Sequence, residues 1–136
     1  MDAKILLDNP VDAAALKILA VDDSSTNRLI LTRLMQAMGH QVETAVDGER
    51  AIEATAGGDF DVILMDVQMP GIGGVEAARR IRELAGPTAR TPIIAVTADA
   101  SAVDRDAYLD AGMSAVVAKP LSAVALQAAI AQVARR

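Results

Sequence analysis

Val62 to Gly74 reads "VILMDVQMPGIGG". Four apolar residues run without a polar break into a lone carboxylate, Asp66, and a Met-Pro-Gly turn begins three residues later. A short run that is apolar at every position suits a strand buried on both faces, and a parallel sheet covered by helices on both sides is the setting that buries it. The aspartate that ends the run is then carried to the sheet edge.

Similar runs recur along the chain. Lys17–Asp22 (KILAVD), Gln41–Val46 (QVETAV), Pro92–Thr97 (PIIAVT) and Ala115–Lys119 (AVVAK) join Asp61–Asp66 (DVILMD) as five strand candidates. Helical patterns fill the gaps. Leu31, Leu34, Met35 and Met38 fall at i, i+3, i+4, i+7 behind Ser24 and Ser25 and before Gly39. Leu126, Ala129, Ile130 and Val133 repeat that spacing behind Ser122, and Val75, Ala78, Ile81 and Leu84 form a looser stripe. Ala51 to Thr55 and Ala102 to Ala111 are further helix candidates. The alternation predicts a doubly wound parallel α/β sheet over residues 17–136, with 1–16 as a leader or linker carrying Asn9-Pro10. Right-handed crossovers bring all strand C-termini to one edge, where ligands bind in such sheets.

A chain of 136 residues accommodates one domain with a real core. With one Phe, one Tyr and no Trp, that core falls to Ala, Val, Ile, Leu and Met. The formal charge of -5 argues against a direct grip on nucleic acid, which Lys and Arg supply. Without cysteine there is no disulfide, thiolate nucleophile or Cys-based zinc site. No apolar stretch approaches the ~18 residues of a membrane span, and the first ten residues are too broken by charge for a secretion signal. The expectation is a cytoplasmic chain that touches neither membrane nor nucleic acid.

The strand ends together present Asp22, Asp23, Asp66, Thr97 and Lys119; strand two contributes nothing comparable. At ~5 Å and an effective dielectric of ~20, each carboxylate pair costs about 3 kcal/mol, so the cluster either raises a carboxyl pKa or holds a divalent cation. An all-oxygen, half-open donor set suits Mg2+, which keeps several waters and favours carboxylate and phosphate oxygens. Lys119 offers a phosphoryl group a point charge, and Thr97 offers it a hydroxyl donor. Together they suit the movement of a phosphoryl group onto a carboxylate.

Each of these residues also has a plainer reading. Asp66 reads as a turn residue, Asp23 as a helix cap that Ser24 or Ser25 could replace, Thr97 as a strand end and Lys119 as an edge solubiliser. Singly these are credible; at matching strand ends they are poor jointly. Gly71, Gly73 and Gly74 lack the spacing and lysine of a P-loop and read as turn residues. His40 reads as a surface turn residue, and Arg79, Arg80 and Arg82 as a solvated helix face.

With those residues in place, the chain resembles the receiver domains of two-component response regulators and hybrid sensor kinases, from about Leu16 to Arg136. The resemblance is carried by ILAVDDSSTNR, DVILMDVQMPGIGG, PIIAVTADA and AGMSAVVAKPLS, in that order and each at a strand end. It implies a flavodoxin-like (βα)5 fold of strand order 2-1-3-4-5. It also implies that Asp66 is the phosphoacceptor, charged by a phosphohistidine on a partner histidine kinase or histidine phosphotransfer domain. Asp23, Asp66 and the main-chain carbonyl of Gln68 would hold Mg2+, with Asp22 acting through the water shell. Lys119 and Thr97 would contact the phosphoryl oxygens, Ala98 is grouped with the cofactor-binding positions, and a cis peptide would precede Pro120.

Receivers usually carry Tyr or Phe three residues before the lysine, where this chain has Val116. Tyr108 is not at that position. Output toward a downstream protein or domain is therefore expected through the TADASAV loop and the helix after it. The surface of the fourth helix, fifth strand and fifth helix commonly forms dimers in relatives, and Val116, Ala118 and Ala123 permit a homodimer there. Catalysis would extend only to transfer onto Asp66 and hydrolysis of that acyl phosphate. Two other functional classes fit the sequence less well. An Asp-nucleophile phosphatase or phosphotransferase commonly carries a second Asp two residues on, where this chain has Gln68; a non-phosphorylated flavodoxin-like interaction module should lack the acidic trio, and aromatics for flavin stacking are scarce.

Overall fold

The computed structural model describes residues 15–134; the leader expected over 1–16 lies, through residue 14, outside them. The elements are β1 Lys17–Val21, α1 Ser25–Ala37, β2 Gln41–Ala45, α2 Gly48–Gly57, β3 Val62–Asp66, α3 Gly74–Arg82, β4 Ile93–Thr97, α4 Ala102–Asp110, β5 Ala115–Ala118 and α5 Ala123–Ala134, with a 3-10 turn at Gly86–Arg90. All strand pairs are parallel, in the order β2-β1-β3-β4-β5, so the expected doubly wound fold is present. The strands are slightly shorter than their sequence runs, with Asp22, Val46 and Lys119 just past their ends and Asp61 and Pro92 just before. No helix among the described residues is long and apolar enough to cross a membrane.

Every residue of β3 and β4 is buried, as the unbroken apolar runs require, whereas β2 lies at the edge and is mostly exposed. One apolar cluster joins Leu19, Ile63, Met65 and Ile93 to Ala77, Ala78 and Ile81 of α3. The opposite face joins Ile18, Leu64, Ile94 and Val96 to Leu31 and Met35 of α1 and Leu126 and Ile130 of α5. The predicted helical stripes are therefore the buried faces. Ser24 caps α1 by accepting from the Asn27 N–H, and Gly39 (φ 89°) follows the helix end. The helix predicted around Ala51 to Thr55 is longer in the structure, because Asp47 caps it by accepting from the Arg50 N–H at 2.8 Å.

Two readings need correction. Arg79 and Arg80 do pair with Glu76 at the surface, but Arg82 turns inward and its guanidinium is half-buried. It donates to the carbonyls of Ala89, Thr91 and Gly112 at 2.9, 2.7 and 2.9 Å. These carbonyls lie in the turns before β4 and β5, and a five-donor fork satisfies all three. His40 is half-buried, not a free surface residue: its Nδ1 accepts from the Leu16 N–H at 3.1 Å and so ties the approach to β1 against the start of β2. Burial lowers its pKa against the opposing pull of Asp61.

Gly74 opens α3 in direct contact with the strand end that carries Asp66. A Cβ there would strike the Asp66 carbonyl oxygen and lie 2.9 Å from the Val67 Cα, both parts of the backbone that cannot rotate away. Gly74→Ala should therefore cost about 1–3 kcal/mol in urea unfolding despite its better helix propensity. Gly57→Ala, in open space at the end of α2, should be neutral or gain up to ~1 kcal/mol. Equal effects at the two sites would show that the close approach at Gly74 is not constraining.

Candidate functional site

Parallel register decides which side chains meet. Val21 stands opposite Met65, Asp66 opposite Val96 and Thr97 opposite Ala118. Asp22 therefore emerges beside Asp66, and Lys119 emerges just past Thr97, where its N–H donates to the Thr97 carbonyl at 2.8 Å. Four strands distant in sequence thus deliver the residues at their ends to one edge of the sheet.

Asp22, Asp23 and Asp66 each present a carboxylate oxygen within 4.8 Å of the others. Asp22 is 1% and Asp66 4% exposed, whereas Asp23 is exposed to solvent. Lys119 Nζ lies 3.3 Å from Asp66 Oδ1 and 3.9 Å from Asp22 Oδ2. Among the described residues one ammonium thus faces two buried carboxylates and a third at the rim, which leaves the cluster short of positive charge. Those hard oxygen donors match what a divalent cation such as Mg2+ takes.

The supporting bonds hold Asp22 more tightly than Asp66. Asp22 Oδ1 accepts from the Ser24 N–H at 2.9 Å and from Asn27 Nδ2 at 3.5 Å, and its carbonyl accepts from Arg28 at 2.9 Å. Sequence reasoning singled out neither Asn27 nor Arg28, although both lie on the first turns of α1, five and six residues past Asp22. Asp66 Oδ1 accepts from the Gln68 N–H at 3.3 Å. Thr97 is buried and its Oγ1 accepts from the Asp99 N–H at 3.0 Å. Gln68 and Ala98 are exposed at the ends of β3 and β4. The Lys119–Pro120 peptide is cis, as the resemblance implied.

Burial raises the Asp66 pKa above the ordinary aspartate value, and the Asp22 charge adds to the rise, against the pull of Lys119 and the Gln68 N–H. A carboxyl whose folded pKa is raised adds stability below its unfolded pKa and loses it as pH climbs through the folded value. Ionised Asp66 therefore opposes folding at neutral pH. Asp66→Asn should melt a few degrees higher than the wild type at pH 7, with the gap narrowing as pH falls into the carboxylate range. A mutant that melts lower at pH 7 would contradict this balance of charges.

The response regulator receiver domain family matches residues 18–131 of this chain. Among curated relatives, the transcriptional regulatory protein TcrA of Mycobacterium tuberculosis is 35% identical over 123 residues, 90% of this chain and 47% of TcrA. The autoinducer 2 sensor kinase/phosphatase LuxQ of Vibrio vulnificus is 43% identical over 106 residues, 78% of this chain and 12% of LuxQ. The chain thus spans less than half the length of these relatives. Among solved structures, the chemotaxis protein CheY4 of Vibrio cholerae has a TM-score of 0.81 at 32% identity, covering 88% of this chain and 99% of CheY4. The receiver domain of the sensor histidine kinase PA1611 from Pseudomonas aeruginosa, solved with a magnesium ion coordinated in its active site cleft, has a TM-score of 0.81 at 34% identity. It covers 89% of this chain and 98% of that domain. Family profile, strand order and the cluster at the strand ends agree, and the chain belongs to the response regulator receiver domains of two-component systems.

Proposed function

We propose that Asp66 is the phosphoacceptor of this receiver and takes its phosphoryl group from a phosphohistidine on a histidine kinase or histidine phosphotransfer domain. The observation that carries this reading is a buried carboxylate at a strand end with an ammonium 3.3 Å away and two further carboxylates within 4.8 Å. An Asp66 oxygen attacks phosphorus, the O–P bond forms, and the P–N bond breaks with its electron pair returning to the imidazole. Lys119 and the Thr97 hydroxyl hold the phosphoryl oxygens in line. Asp23, Asp66 and the Gln68 carbonyl are the groups that would hold Mg2+, with Asp22 acting through water and Ala98 bordering the phosphoryl position. When bound, Mg2+ supplies positive charge to the oxygens being transferred.

On this reading the chain catalyses only transfer to Asp66 and hydrolysis of the resulting acyl phosphate, in the cytoplasm, and two conformations of close energy carry the signal. The face proposed for a downstream protein or domain, or for a second copy, is that of α4, β5 and α5. Val103, Leu109 and Val124 are exposed on it, while Val116 packs partly into the core.

Incubation with acetyl phosphate and Mg2+ should add one phosphoryl group, about 80 Da by intact mass. Chelation of the metal should suppress the adduct, and Asp66→Asn should abolish it while the circular dichroism spectrum stays unchanged. Phosphate appearing in the mutant at the wild-type rate would remove Asp66 from the role.

A further inference from the structure

One residue of the β4–α4 loop is held from two sides. The Asp99 N–H donates to Thr97 Oγ1 at 3.0 Å, and the Asp99 carbonyl accepts from the Tyr108 hydroxyl at 3.0 Å. Thr97 belongs to the site, and Tyr108 belongs to α4. Tyr108 is the only buried side chain of that helix, 6% exposed, in the same apolar cluster as Ala95 and Met113 and with Val116 packed against it. The remaining side chains of α4 lie at the surface or partly covered, and Val103 is 79% exposed. The other ties to the loop, from Arg105 Nε to the Ala100 carbonyl at 3.1 Å and between Asp104 and Ser101, run through solvent-exposed groups. The link between the two buried side chains, Thr97 of the site and Tyr108 of α4, therefore passes through the main chain of Asp99.

We propose that Tyr108 is a latch: its hydroxyl holds the Asp99 carbonyl while Thr97 holds the Asp99 N–H, so that loss of the Thr97 bond releases the Tyr108 bond and frees α4. The inference rests on Asp66 as phosphoacceptor. When the Thr97 hydroxyl turns toward a phosphoryl oxygen on Asp66, its oxygen no longer accepts from Asp99. The loop then shifts, the phenol loses its acceptor, and the hold of the one buried side chain of α4 on the loop is weakened. Val116 has no hydroxyl to offer the loop, whereas Tyr108 reaches it from the neighbouring helix. Because both bonds hold Asp99 in the arrangement that keeps Thr97 turned to it, removing the phenol hydroxyl should ease the shift.

The chain contains a single tyrosine and no tryptophan, so tyrosine emission and near-ultraviolet absorbance report on residue 108 alone. With acetyl phosphate and Mg2+, and the adduct counted by mass in the same samples, the tyrosine signal should change in proportion to phosphorylated protein. Asp66→Asn under the same conditions should show no change. Tyr108→Phe, which keeps the ring and its packing, should take up phosphate about two- to tenfold faster, the factor expected for one neutral hydrogen bond. An unchanged tyrosine signal in fully phosphorylated protein, or a wild-type rate in Tyr108→Phe, overturns the latch and leaves Asp66 as acceptor. Failure of the wild type to form any adduct overturns both.

Discussion

The site is organised around a repulsion. Asp22, Asp23 and Asp66 each hold a carboxylate oxygen within 4.8 Å of the others, and among the described residues a single ammonium, Lys119, lies against the two buried members. Left to solvent, three carboxylates would separate; here the parallel register of β1 and β3 and the first turn of α1 hold them in place. An arrangement that is electrostatically unfavourable alone becomes favourable when a cation or a phosphoryl group bound with one brings the missing charge. The fold thus holds the carboxyl at Asp66 above its ordinary pKa and keeps it beside the Lys119 counter-charge.

The rest of the structure serves that placement. Strands β3 and β4, buried along their whole length, give the site a rigid floor, and Gly74 lets α3 begin in contact with the Asp66 main chain. Asn27, Arg28 and the Ser24 N–H fix Asp22 from α1, so the acidic pair is steadied by the helix that follows it. Thr97 faces both ways, with its main chain in the sheet beside Lys119 and its hydroxyl bound to the loop that leads to α4. The hydroxyl of Thr97 at the strand-end cluster and the phenol of Tyr108 on α4 are thereby joined through the main chain of one residue, Asp99.

What the sequence made legible was whatever depends on neighbours along the chain. The run from Val62 to Met65 has no polar residue to turn toward water, so its burial and the fate of the aspartate after it follow directly. Four strand ends carrying polar side chains, in a topology that collects strand ends, then locate the site. Contacts across long separations were not readable. Arg82 sits among exposed arginines on α3, and nothing nearby reveals that its partners are the carbonyls of Ala89, Thr91 and Gly112, the last 30 residues away. The 3-10 turn those bonds help to hold has no apolar period to announce it. The bond at His40 is hidden for the same reason, since its partner Leu16 lies on another strand's approach. The tie from Tyr108 to Asp99 depends on how α4 packs, which its weak apolar pattern left open.

The charge balance at Asp66 is open to direct observation. A carbon-13 NMR titration of the aspartate side-chain carboxyls, with the Asp66 signal assigned by mutation, would report its pKa without and with Mg2+. The account predicts a pKa above the ordinary aspartate value in metal-free protein and a clear fall when Mg2+ is added. A pKa at or below the ordinary value that does not respond to Mg2+ would contradict it.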